Sequence, residues 1–196
     1  QQLRDIALNM QVNDVREFNI GLQGFFDGSK VENYVNEQVD QKRLEDMEIP
    51  MYVVATELKH GNKVIFNKGS TGQAVRASIS IPSMFVPVNI SGRDYVDGGL
   101  VSPVPVNVAR ALGADIIIAV DVVSKSVLPK NVDNMVQTLL HSTLILQKEL
   151  QKLRRKRHDI LIQPELGERK QTDYNGDVYF DVRSFPKYGR LSNRNV

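Results

Sequence analysis

The feature that most constrains this chain is a helix set directly before an unbroken apolar run. Pro103 and Pro105 open the segment PVNVARALG, where proline suits the first turn, and Gly113 ends it. ADIIIAVDVV follows, apolar without interruption from Ile116 to Val120. Such a run suits a parallel strand covered on both faces. Strands and helices alternate elsewhere in the chain as well, which implies an α/β layered fold.

Upstream, Gly28-Ser29 precedes VENYVNEQV, whose Val31, Tyr34, Val35 and Val39 recur at helical spacing. Ser29 is the expected N-cap, with Glu32 completing a capping box. After Pro50, MYVVATEL is rich in strand formers, His60-Gly61-Asn62 makes a turn, and KVIFNKG returns, so a hairpin is expected. Thr71–Ser80 reads as a short helix stopped by Pro82, with Thr71 as its cap. Ser91-Gly92-Arg93 then forms a tight turn between two short strands. From Asn131 to His158 one long amphipathic helix is expected, its period kept by Val132, Met135, Val136, Leu139, Leu140, Thr143, Leu144, Leu150 and Leu153. DILIQPEL is a further short strand, and the tail from Gly167 is polar with weak pattern. The expected division is a folded domain part over 1–166 and a polar extension over 167–196.

Composition narrows the chemistry. The 196 residues are 41% hydrophobic and 24% charged, enough apolar material for a core and too little for a disordered chain. Without cysteine there are no disulfides, zinc–thiolate sites or cysteine nucleophiles. His60, His141 and His158 lack metal-ligand spacing, so no metal is expected. The net charge of +2 hides ten acids against five bases in residues 1–50, and six bases against one acid in residues 148–158. One short basic patch is not a nucleic-acid footprint, and no nucleic-acid partner is expected. The patch ends in Arg154, Arg155, Lys156 and Arg157. Cations there complement a helix macrodipole. The alternative is contact with anionic lipid headgroups, worth about 1 kcal/mol per basic residue.

Two weaker patterns have plain explanations. GSTGQA (69–74) lacks the Gly-Lys-Ser/Thr ending of a phosphate-binding loop and reads as a strand-to-helix turn. Asp173-Tyr-Asn175-Gly-Asp177 starts like a calcium loop, but Ser184 stands where its twelfth-position Glu belongs.

The chemically informative block runs from Ala55 to Val122. It holds, in order, A-T-x-L, V-R-A-S-x-x-I-P-x-x-F-x-P-V, Y-V-D-G-G-L-x-x-P-V-P and G-A-D-x-I-I-A-V-D. Four ordered motifs of this kind resemble the patatin-like phospholipase family of serine lipid acyl hydrolases. The resemblance is dense over about 70 residues and looser from Gly21 onward. It implies a three-layer α/β/α fold, a lipid or ester substrate, no cofactor, and a Ser–Asp dyad. The dyad's aspartate matches Asp97, followed by Gly98 and Gly99. Independently, an aspartate at a strand end before two glycines can sit on a sharp turn facing a cleft. With a reference pKa of about 3.9 it would be ionised near pH 7.

The sequence departs from the family in one respect. The nucleophile belongs in a G-x-S-x-G elbow preceded by a glycine-rich oxyanion loop, and no G-x-S-x-G occurs in the 196 residues. The chain, which starts at Gln1, is therefore expected to lie downstream of both and to lack the fold's N-terminal strands. It should need its own N-terminal segment, in cis or as a second chain, to cover an open sheet edge. The alternative is a non-catalytic patatin-fold binding or regulatory module. Either reading fits the cytoplasm or the periphery of a membrane.

Overall fold

The computed structural model describes residues 26–122, 133–154 and 158–163. The polar extension over 167–196, the Asp173–Asp177 loop, Arg155, Lys156 and Arg157, and the side chain of Arg154 lie outside the described residues.

The first helix, α1 (Ser29–Gln38), starts differently from the expected capping box. Gly28, at φ 84°, is the N-cap, and Ser29 is already inside the helix. The capping oxygen comes one residue earlier still, because Asp27 Oδ1 accepts the Ser29 N–H at 3.1 Å and also the Ser29 hydroxyl. Glu32 does not fold back on the cap. A guanidinium is a stronger partner for a carboxylate than a backbone N–H, and Arg76 stands 3.0 Å away.

The hairpin forms as expected from β1 (Val53–Glu57) and β2 (Lys63–Phe66), paired antiparallel with Val53 opposite Phe66. Glu57 closes it, accepting the N–H groups of Lys59 at 3.2 Å and His60 at 3.1 Å. Next comes α2 (Thr71–Ile79), capped by Ser70, which accepts from the Gln73 N–H at 3.2 Å. The expected cap, Thr71, is instead fully buried and donates its hydroxyl to the Lys42 carbonyl at 2.8 Å. Burial of a hydroxyl needs such a partner, so tertiary packing moves the cap by one residue. Gly72 is where α1 and α2 meet, since a Cβ there would stand 2.2 Å from the Glu32 carbonyl oxygen.

Strands β3 (Val88–Ile90) and β4 (Arg93–Asp97) are joined through Ser91 and Gly92, both at positive φ, as a tight hairpin turn requires. β4 pairs antiparallel with both β1 and β3, giving the sheet order β2-β1-β4-β3. All five residues of β1 are buried, because it lies inside the sheet with α2 packed across it. The core beneath α2 is Ala55, Ala77, Val88 and Tyr95, with Phe66 edge-on to Tyr95 at 5.1 Å.

A second unit follows: α3 (Val106–Ala111), β5 (Ile118–Val120), α4 (Met135–Arg154) and β6 (Ile160–Ile162). β5 and β6 are parallel, as the apolar run implied, with Ile118 opposite Ile160. Coverage on both faces is not found among the described residues. Ile117 and Ala119 are buried with Val106, whereas Ile116, Ile118 and Val120 are 71%, 59% and 53% exposed. The alternation is that of a strand packed on one side only.

The long helix turns only part of its expected face inward: Val136, Leu140, Thr143 and Leu150 are half-buried beside Leu144. Its buried residues are Leu144, Gln147 and Gln151, while Met135, Leu139 and Leu153 are exposed. The face turned inward carries carboxamides, and that places one of them at the site described next.

Candidate active site

Asp97 ends β4 opposite Ala55 on the buried strand β1. Its backbone is held from both sides: its N–H donates to the Ser80 carbonyl at 2.9 Å, and its carbonyl accepts the Thr56 hydroxyl at 2.8 Å. The chain then tightens into a 3-10 turn, Gly98–Leu100, for which Asp97 is the N-cap. Asp97 Oδ1 accepts the Gly99 N–H at 2.6 Å, so the side chain is locked over the turn it starts. This is the sharp strand-end turn anticipated for Asp-Gly-Gly.

The two glycines serve by their size; neither has a positive φ. A Cβ on Gly98 would lie 2.1 Å from the Val54 carbonyl oxygen, a position no side chain can occupy. A Cβ on Gly99 would lie 2.5 Å from Gln147 Nε2 and 3.0 Å from Asp97 Oδ1. Space, not left-handed geometry, is what each glycine provides.

Burial pushes the Asp97 carboxyl above the ordinary carboxylate value, while the Gly99 N–H and the Gln147 side chain pull it back. Its pKa thus lies above the reference value, and the group is a stronger base than a free aspartate. A raised pKa suits a proton acceptor.

Among the described residues, no serine hydroxyl reaches the Asp97 carboxylate. Ser80, whose carbonyl holds the aspartate's N–H, turns its own hydroxyl to the Arg76 carbonyl at 2.7 Å. Nor does any group of His, Asp and Glu among them converge in a manner that would hold a metal ion. No described helix is long and apolar enough to cross a membrane.

Gln147 was missed in the sequence. Its signal was present: Leu140, Leu144, Gln147 and Gln151 follow helical spacing along one face. One turn beyond it, Gln151 lines a cavity of about 20 Å³, together with Asp121, His158, Val104, Val106 and Leu161. That is room for a single water.

The fold is α/β, with a strand-end aspartate anchored by two glycines and a helix carboxamide. The chain belongs to the patatin-like phospholipase family, whose family model matches residues 2–110, more than half of it. That match includes Asp97, Gly98 and Gly99 and stops short of β5 and α4. An uncharacterized NTE family protein of Mycobacterium tuberculosis is 35% identical over 102 residues, 52% of this chain and 28% of the relative. Human patatin-like phospholipase domain-containing protein 6 is 27% identical over 129 residues, 64% of this chain and 9% of the relative. Mouse patatin-like phospholipase domain-containing protein 7 is 24% identical over 121 residues, 61% of this chain and 9% of the relative. The chain thus spans under a third of the length of these curated relatives.

Proposed function

We propose that this chain supplies the catalytic base, Asp97, of a patatin-like lipid acyl hydrolase whose serine nucleophile comes from a segment outside these 196 residues. The observation that carries this reading is the Asp97 carboxylate itself, half-buried at a strand end and fixed by the Gly99 N–H. A serine hydroxyl is a poor acid, so a pre-oriented acceptor with a raised pKa is what its attack requires.

In the first half-reaction the serine oxygen attacks the ester carbonyl carbon as its proton passes to Asp97. The tetrahedral intermediate then expels the alcohol, which takes that proton, and an acyl-enzyme remains. In the second half-reaction Asp97 accepts a proton from water as the water oxygen attacks the acyl carbon. Collapse returns the proton to the serine and releases the acid. The developing oxyanion needs its own donors, worth roughly 3–4 kcal/mol each, and these belong with the serine segment.

The exposed row of Ile116, Ile118 and Val120 supports a covering segment. We take that segment to be the one bearing the serine, in cis or as a second chain. In the complete protein, a fluorophosphonate ester should label one serine, and turnover of a short-chain ester should fall about a thousandfold in Asp97→Asn. Full turnover in Asp97→Asn overturns the dyad. A complete gene product without any G-x-S-x-G favours the non-catalytic binding module instead.

A further inference from the structure

We propose that Gln147, on α4, is the positioning residue of the Asp97 carboxylate, holding it ionised and aimed for proton transfer. The proposal rests on the reading of Asp97 as the base, and it extends the site to an element fifty residues downstream.

Three observations converge on Gln147. It is 6% exposed, on a helix whose other surfaces carry exposed apolar residues, so a long polar side chain has been turned inward where leucine would fit the helix pattern. Burial of a carboxamide costs free energy unless it is hydrogen-bonded, and its partner is Asp97. The third observation concerns Gly99. The space a Cβ would fill there is bounded by Gln147 Nε2 on one side and Asp97 Oδ1 on the other. Amide and carboxylate therefore both border the space above the Gly99 Cα, which only glycine leaves open.

The two donors that hold the carboxylate have different origins. The Gly99 N–H comes from the turn that Asp97 itself caps and is present whenever that turn forms. The Gln147 amide arrives only when α4 packs against the turn. A carboxylate offers about four acceptor sites, so two donors leave lone pairs free for a hydroxyl. With both in place the group keeps its charge against the desolvation that opposes it.

No charged side chain competes for this role among the described residues. On β1, Glu57 turns to the His60 loop. On α2, Arg76 is committed to Asp27 and Glu32. The influences on Asp97 are burial, the Gly99 N–H and Gln147.

The test is Gln147→Leu, which keeps the volume and removes the donor. In the complete protein, kcat for a short-chain ester should fall about tenfold on the acid limb of the pH profile and much less on its alkaline plateau, with KM nearly unchanged. The acid limb should move up by about one pH unit. A purely structural role predicts the same loss at every pH, and that result overturns the proposal. Gln147→Glu keeps the shape but adds a second acid beside Asp97, so its acid limb should move further than that of the leucine variant. It carries the test if Gln147→Leu does not fold. A second reading needs no activity: in the complete protein labelled with 13C-aspartate, the Asp97 carboxyl midpoint should rise by about one pH unit in Gln147→Leu. An unmoved midpoint overturns the proposal. If the wild-type complete protein hydrolyses no ester, the base reading falls, while the titration still decides whether Gln147 holds the carboxylate.

Discussion

The Cα of Gly98 rests against the main chain of Val54, so close that a Cβ would stand 2.1 Å from its carbonyl oxygen. Val54 belongs to the buried strand β1, which cannot retreat without breaking its pairing with β2 and β4. Gly98→Ala should therefore destabilise the chain by about 3 kcal/mol, at the upper end of overpacking costs, or prevent folding. Thermal or urea denaturation of the purified variant measures it. A loss within about 0.5 kcal/mol would mean the strand and turn can separate.

Gly99→Ala should behave differently. Its Cβ would meet the far end of Gln147, which can swing aside. Stability should drop by only about 1 kcal/mol, whereas ester turnover by the complete protein should drop by about tenfold on the acid limb of its pH profile as Gln147 leaves Asp97. Equal effects on both measurements would show that Gly99 matters for folding alone.

The raised pKa of Asp97 has a definite consequence for stability against pH. The folded chain binds this proton more tightly than the unfolded one, whose pKa is near the free-aspartate value of 3.8. Stability from this group is greatest below the unfolded pKa and is lost as pH rises through the folded pKa. Asp97→Asn should thus melt higher than wild type at pH 7, with the advantage vanishing toward pH 3. A lower melting temperature at pH 7 would point to a carboxylate stabilised rather than penalised by its surroundings.

Arg76 ties the start of α1 to α2, donating to the Asp27 carboxylate at 3.1 Å, the Asp27 carbonyl at 3.2 Å and Glu32 at 3.0 Å. The Arg76 side chain is only 17% exposed, and its partners are partly buried. Arg76→Met should cost about 2 kcal/mol, between the values for surface and buried pairs. Part of the difference from wild type should disappear in high salt. Denaturation at low and high sodium chloride reads both numbers, and a salt-independent loss would assign the effect to packing.

The exposed row on β5 should make the 196-residue chain associate by itself. Light scattering after size exclusion should show oligomers that Ile118→Thr/Val120→Thr shifts toward monomer. The double variant should melt within about 1 kcal/mol of wild type, because neither side chain is in the core. A wild-type chain that is monodisperse and unfolds cooperatively would argue against the proposed covering segment.

The local elements were legible where neighbours in sequence decide them. The β1–β2 hairpin, the Ser91-Gly92 turn and the proline-opened α3 all follow from residues within a few positions of each other. The caps of α1 and α2 were each displaced by one residue. In α2 this follows from the distant partner Lys42, and in α1 Asp27 supplies the cap while Arg76 takes Glu32. The apolar run promised a parallel strand, and its pairing with β6 follows. Its periodicity carried no information on how many faces would be covered.

The sequence by itself determined the order of strands, turns and helices, the position of Asp97 at a strand end, and the pair of glycines after it. Those features rest on backbone preference and on the four ordered motifs. Tertiary structure alone decided why the glycines are needed, since Val54 and Gln147 are what would strike their side chains. It also decided the basicity of Asp97 and the role of Gln147, fifty residues away. Desolvation and hydrogen bonding are properties of an assembled interior. Neither exists until β1, the Asp97 turn and α4 have packed together.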